Sequence, residues 1–411
     1  MSDVEIVHPV PVEEVPGWAE TMAITFLSDP TDEGNRRNVE RLQRSWLPDR
    51  FWGARADGRW VATLGGWPRT VTVPGGDVVP ADALTMVTVA ATHRRRGLLT
   101  TMLTESLHAA RDRGDVVSIL WAAEWPIYWR FGYAPATVNV NYTLHPRVPG
   151  GRLERGEGNL RRVDAAELDA IAPDIFTRAA RQRAGNIDRP RSWWSSSLGL
   201  DGYPQPRYDG KWPTQIVHDG PDGPDGYVAW NANEHEASVD VLDLCTATEV
   251  AYRGLWAYLS SLDLVEKVMV RRRPVDEPVR WLLPDGRALR QDETMDGIWV
   301  RLLDVPAALA ARRYAVPERL VLEVVDDDIG GFAAGRYVLE GGPDGAKCLP
   351  STVDTPELRV HQRALAAAYL GGASLHSQLI AGRVDELSPG ALRRADAMFA
   401  TPVAPWCATG F

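Results

Sequence analysis

Three consecutive arginines, Arg94-Arg95-Arg96, stand directly before Gly97 and a run of helical spacing. The stretch upstream, Val87-Thr88-Val89-Ala90-Ala91, is apolar and β-branched and reads as a strand. Downstream, Leu98, Leu99, Met102, Leu103, Leu107 and Ala110 recur at helical spacing as far as Arg113, which predicts one buried face. A helix start carries unpaired backbone N–H groups and the positive end of the peptide dipoles, and so attracts anions. The guanidinium groups add charge, and a glycine lets an anion come close to the main chain. Taken alone, an arginine triplet is more often a solvated charge run. Set between a strand and a helix, it points to a site for a ligand that carries a pyrophosphate.

Two further groups could move protons. Tyr128 lies in Ile127-Tyr128-Trp129-Arg130-Phe131-Gly132-Tyr133-Ala134-Pro135-Ala136. A phenol with a pKa near 10 keeps its proton at neutral pH and can donate it to a departing anion. Phe131 and Tyr133, at helical spacing beside it, read as core aromatics. The second group is the chain end. After Asp396 no charged side chain occurs, so the tail to Phe411 reads as packed rather than solvated. Packing it would bury the α-carboxylate of Phe411, which then needs a partner or a raised pKa. Glu124 and His93 are the other candidates for a base, and each reads more naturally as a satisfied surface group.

These groups need a scaffold of some size. A chain of 411 residues predicts two or three domains. With 45% hydrophobic and 24% charged residues, the composition is that of an ordinary globular protein. A net charge of −10 argues against general nucleic-acid binding and is compatible with a cationic ligand. Cys245, Cys348 and Cys407 are odd in number and widely spaced, so neither a disulfide framework nor a metal site is expected, and a reducing cytoplasm fits. The first residues lack a basic-then-apolar leader, and no apolar run is long enough to span a bilayer.

In chain order, residues 17–46 read as two helices. Strands follow at Arg50–Arg55, Trp60–Gly65, Thr70–Val73 and Ala83–Val89, punctuated by Gly58, Gly65-Gly66 and Pro74-Gly75-Gly76. After the helix at 97–113 come a buried strand at Val116–Ala122, a short helix starting at Pro126, and Val138–Leu144, an alternating strand expected to close the unit. Pro146–Gly158 reads as a linker. A helix at Asp164–Arg183, strands at Gln215–Val217, Tyr227–Asn231 and Ser238–Leu244, a helix at Thr248–Leu264 and a strand at Lys267–Arg272 echo the first unit. The corresponding loop, Cys245-Thr246-Ala247-Thr248-Glu249, has neither arginines nor glycine, and its acid would repel a pyrophosphate. From Asp304 a small α+β unit is expected, its last helix starting at Ser388 as N-cap.

The loop Thr92-His93-Arg94-Arg95-Arg96-Gly97-Leu98-Leu99 resembles the coenzyme A loop of the GNAT acyltransferases, with Leu99 where a second small residue is usual. Its form, together with the tyrosine segment above, resembles the Eis (enhanced intracellular survival) branch of multi-domain N-acetyltransferases. The resemblance implies a mixed α/β (α+β) fold: a GNAT catalytic domain at 1–150, a degenerate GNAT-like domain at 151–300 without the coenzyme A loop, and a sterol-carrier-protein-like domain at 301–411. It implies acetyl-CoA as co-substrate. The backbone of Val87, Thr88 and Val89 would pair with the pantetheine arm and thioester carbonyl. Arg94, Arg95, Arg96, Gly97, Leu98, Leu99 and Thr100 would cradle the phosphates. Ala123 and Glu124 would contact the cofactor's other side, Ala123 replacing a common hydroxyl residue. Tyr128 becomes the acid and the Phe411 carboxylate the base. The acceptor would be a primary amine of a small cationic molecule or a lysine side chain, and the assembly a homo-oligomer, a hexamer in relatives. Trp125 and Trp129, where relatives have small residues, are expected to reshape or narrow the acceptor pocket. Gly410 removes an acidic residue that some relatives use near cationic substrates. Both changes count against aminoglycosides. Rival readings are a lipid or sterol carrier using the third domain, and an inactive GNAT scaffold.

Overall fold

The computed structural model describes residues 4–154, 156–197, 213–326 and 328–411; residues 1–3, at the head of the leader region read above, lie outside it. The chain begins with β1 (Val4–Val7), helices α1 (Val15–Thr25) and α2 (Glu33–Arg44), and the meander β2 (Phe51–Ala56), β3 (Arg59–Thr72) and β4 (Val78–Val89). Next come α3 (Leu98–Asp112), β5 (Val117–Trp121), α4 (Trp125–Trp129), β6 (Ala134–Pro135) and β7 (Val138–Leu144). The second stretch holds β8 (Asn159–Val163), α5 (Ala165–Ala180), α6 (Arg191–Ser197), β9 (Thr214–Gly220), β10 (Gly223–Asn233), β11 (Ser238–Thr246), α7 (Glu249–Ser261), β12 (Lys267–Pro274), α8 (Val279–Leu282), β13 (Leu289–Asp296) and β14 (Ile298–Leu302). The third holds α9 (Val305–Ala311), β15 (Glu318–Val325), β16 (Gly335–Gly342), β17 (Gly345–Pro350), β18 (Leu358–His361), α10 (Gln362–Tyr369), α11 (Leu375–Ile380), β19 (Val384–Glu386) and α12 (Ala391–Phe399).

Three sheets result, with strand orders β1-β2-β3-β4-β5-β14-β6, β13-β7-β12-β11-β10-β9-β8 and β17-β16-β15-β18-β19. The first two correspond strand for strand. In each, a run of antiparallel neighbours ends in one parallel pair, β4–β5 or β11–β12, as the sequence echo predicts. Expectation and structure part at the closing strands. Val138–Leu144 does not close the first sheet; it lies between β12 and β13 of the second. The first is completed instead by β14, between β5 and β6. The two sheets thus exchange strands. Alternation fixes which side chains point inward, but it does not say which sheet supplies the partner.

Gly65-Gly66 is no break either. Both lie inside the continuous β3, because a Cβ on Gly65 would stand 2.4 Å from the Phe51 ring and one on Gly66 2.6 Å from the Asp82 carboxylate. The last helix starts at Ala391, not Ser388, since Gly390 takes φ +83° at its N-cap and Ser388 only closes the preceding turn.

Helix α3 buries Leu98, Met102, Leu103, Ser106, Leu107 and Ala110 on one face of the first sheet, with Leu84, Leu120 and Tyr128 in the same apolar cluster. Each fully buried Leu or Met contributes about 1.5–3 kcal/mol. The sheet's other face joins the third unit: Val71, Ala81, Ile119 and Val300 share a core with Leu320, Leu365 and Met398. The three cysteines are buried and free. No helix among the described residues is long and apolar enough to cross a membrane.

Candidate active site

Strands β4 and β5 pair only over Ala81–Ala83 and Val117–Ile119, yet β4 runs on to Val89 and β5 to Trp121. Beyond Ala83, β4 pairs with β3 alone among the described residues, so its edge toward β5 is left open. A bulge helps the strands part. Thr63 faces Thr88 and Gly65 faces Thr85, leaving Met86 and Val87 opposite the single Leu64. Met86 takes φ +54°, a left-handed conformation that its Cβ makes unfavourable. The Thr63 hydroxyl secures it, donating to the Met86 carbonyl at 2.7 Å and meeting the Thr88 hydroxyl at 2.6 Å. Nothing in the sequence marks this bulge. Thr88 is thereby buried, while Val87 and Val89 are half-buried beside the opening.

The basic loop follows at once. Arg94, Arg95, Arg96 and Gly97 are exposed, and Leu98 begins the buried face of α3. Gly97 takes φ +80° and no side chain caps the helix, so the N–H groups at its start stay available. Arg96 donates to the Thr92 carbonyl at 3.3 Å, and Arg94 reaches the Val89 carbonyl only at 3.5 Å. Arg95, at φ +64°, makes no protein contact of this kind among the described residues. Among the described residues no carboxylate pairs with Arg94, Arg95 or Arg96. His93 bonds the Thr92 hydroxyl through Nδ1 at 2.9 Å, within the loop.

Tyr128, on α4, is 7% exposed and sits in the apolar cluster that Val87 and Val89 pack against. Its hydroxyl has no hydrogen-bond partner among the described residues. Burial, and then the negative charge of Glu124, push the phenol up to about 12. Ala123 and Glu124 lie exposed between β5 and α4. Glu124 precedes α4 without capping it through its side chain. Trp125 and Trp129, four residues apart on α4, share a helix face. Trp125 meets Trp299 edge-on at 4.6 Å, and Trp129 lies under Arg363 at 4.9 Å and Arg383 at 4.7 Å. With Pro135, Ala367, Ala373 and Gln378 they border a cleft of about 290 Å³.

The tail is packed. The Trp406 N–H donates to the Ala184 carbonyl at 2.8 Å, and its indole to the Arg272 carbonyl at 2.7 Å. Cys407 is fully buried, which pushes its thiol up to about 11. Arg189 donates to the Thr409 hydroxyl at 2.9 Å, and the Trp193 indole to the Gly410 carbonyl at 3.1 Å. The Phe411 ring is half-buried against the same core as Trp121, the last residue of β5. Arg272 links the two regions: its guanidinium lies 5.3 Å over the Trp121 ring and 3.2 Å from where a Cβ on Gly410 would stand. Sequence reasoning found the tail but missed Arg189 and Trp193, which sit in a stretch with no periodic signal, and the part played by Arg272 at the end of an expected strand.

A parted parallel strand pair, a bulged strand edge and an uncapped helix start behind a basic loop define a GNAT-type acyltransferase. Family models agree: acetyltransferase (GNAT) domains match residues 7–136 and 185–302, and a sterol carrier protein domain matches 305–408. An uncharacterized N-acetyltransferase of Streptomyces avermitilis is 38% identical, covering 98% of this chain and 97% of that one. The N-acetyltransferase Eis of Mycobacterium tuberculosis is 35% identical over 81% of both chains. The crystal structure of Eis1 from Mycobacterium abscessus superposes over the whole of both chains with a TM-score of 0.84 at 31% identity. The chain belongs to the Eis family of N-acetyltransferases.

Proposed function

We propose that the protein transfers an acetyl group from acetyl-CoA directly to a primary amine, in a ternary complex. The observation that carries this reading is the uncapped start of α3 behind Arg94–Arg96, set beside the open edge of β4. A diphosphate fits there, because the loop holds cations without carboxylate partners and an N-terminus without a cap. The second unit shows the contrast. Helix α7 is capped by the Thr248 hydroxyl, which accepts from the Ala251 N–H at 3.1 Å, and it carries Glu249 in its first turn.

Acetyl-CoA supplies the thioester whose carbonyl carbon is attacked. In the reaction a C–N bond forms and the C–S bond breaks. Main-chain groups of Val87–Val89 hold the pantetheine arm and stabilise the oxyanion. The amine's proton passes to the Phe411 carboxylate, and Tyr128 protonates the departing thiolate. The acceptor class is a small cationic amine or a lysine side chain, consistent with the net charge of −10. We further infer a homo-oligomer located in the cytoplasm.

The test is transfer of radiolabelled acetyl groups to spermidine, kanamycin and an N-blocked lysine peptide. Label on at least one amine supports the reading. No transfer to any of them, with acetyl-CoA still bound, favours the inactive scaffold. Failure to bind acetyl-CoA at all favours the carrier.

A further inference from the structure

We propose that the second unit serves as a receptor for the carboxy-terminal tail, with Arg189 as the positioning residue that aims Phe411; this rests on the reading of Phe411 as the base. The parallel pair β11–β12 parts like β4–β5: its ladder covers Ser238–Val241 and Lys267–Val270, and both strands continue. Here the gap is filled. The buried Arg273 guanidinium donates to the Leu244 carbonyl at 3.0 Å and to Glu277 at 2.7 Å.

The tail lies across both lips of the filled gap. On the β12 side, Trp406 bonds the Arg272 carbonyl, and its ring takes the Arg273 cation at 4.9 Å. On the β11 side, Thr409 is held by Arg189, which also donates to Asp243 at 2.7 Å and to the Tyr227 hydroxyl at 3.0 Å. The guanidinium is stacked on Trp193 at 3.8 Å and Phe176 at 4.0 Å. Asp243 and these rings fix Arg189 independently of the tail, so its free N–H is a donor already in place. Ala404, Trp406 and Ala408 already tie the tail to the body, through Asp276, Ala184 and Asn186. Arg189 and Trp193, which donate to the Thr409 hydroxyl and the Gly410 carbonyl, do something more: they set the direction in which Phe411 leaves.

The test uses Thr409→Val in the full chain, which removes one hydrogen bond with little change of shape. Two rates are read: release of Phe411 by carboxypeptidase A, and kcat for the panel amine acetylated fastest. Loss of a hydrogen bond to a charged donor predicts, for Thr409→Val, about tenfold faster release and about tenfold lower kcat. The KM for acetyl-CoA should stay unchanged, and Thr409→Ser should recover both rates. Wild-type release in Thr409→Val overturns the receptor; faster release at wild-type kcat overturns the positioning role. An enzyme amidated at Phe411 separates the two ideas. If it stays active, Phe411 is not the base, and the release assay alone judges the receptor.

Discussion

Replacing Tyr128 with Phe isolates one hydroxyl. Because that hydroxyl has no protein partner among the described residues and the ring sits in an apolar cluster, stability should change by less than about 1 kcal/mol. The kinetic cost follows from the phenol's environment. Burial holds it up at about 12, against roughly 8.5 for an ordinary thiol. Proton transfer to a thiolate is therefore uphill unless the same burial raises the sulfur's affinity for the proton as well. So weak an acid gives up its proton late, hydrogen-bonding the sulfur as the C–S bond stretches and transferring the proton only as it breaks. The expected loss in kcat is accordingly near the lower end of the usual range, roughly 10²-fold. Both KM values should stay within about twofold, since the effect is confined to the transition state. Stopped assays of thiol release at saturating amine would measure this. The wild-type kcat profile should also lack a descending limb from Tyr128 below about pH 11, because the phenol keeps its proton that far. Wild-type kcat in the Phe variant, or a loss expressed only in KM, would refute the reasoning.

Replacing Arg95 and Arg96 together by Ala should weaken acetyl-CoA binding by about 1.5–3 kcal/mol for each lost phosphate contact, read by titration calorimetry; unchanged affinity would move the cofactor elsewhere. Extending the chain by a few residues beyond Phe411 should abolish turnover while acetyl-CoA still binds, and a fully active tagged enzyme would eliminate the carboxylate as base. Asp82 provides a pH test of stability. It is 2% exposed, 2.9 Å from Arg50 and 3.1 Å from Arg113, yet burial outweighs both cations and pushes its carboxyl up to about 6. The native state therefore keeps a proton that the unfolded chain gives up from about pH 4, and stability falls as pH rises from about 4 to 6. Asp82→Asn should remove up to about 3 kcal/mol of that slope between pH 4 and 7 in urea unfolding, and parallel curves for the two proteins would disprove it.

What could be read from the sequence was local. The basic loop and α3 were legible because strand, glycine and apolar spacing all lie within one short window. Tyr128 and the uncharged tail were legible for the same reason. The Met86 bulge was not, since methionine gives no hint of positive φ and the bulge is imposed by Thr63 across the sheet. Strand β13 escaped notice because Leu289–Asp296 is mostly polar and exposed, with no alternation to betray an edge. The tail's anchors were invisible because Arg189 and Thr409 meet across more than 200 positions. The surroundings of Trp125 and Trp129 could not be read locally either, because their neighbours, Trp299 on β14 and Arg363 and Arg383 of the third unit, come from far along the chain.

The strand exchange has a consequence for how the molecule is made. On the ribosome β5 emerges early, but the strand that must lie beside it, Ile298–Leu302, is synthesised long afterwards. At about 5–20 residues per second, roughly 10–30 s separate the appearance of β7 from that of β14. Throughout that interval the nascent first sheet presents an apolar, unpaired edge at Val117–Trp121, the kind of surface that recruits other strands. Neither half can finish folding as it is born, and release of the chain from a chaperone is best timed to residue 302 rather than to the end of either sequence repeat.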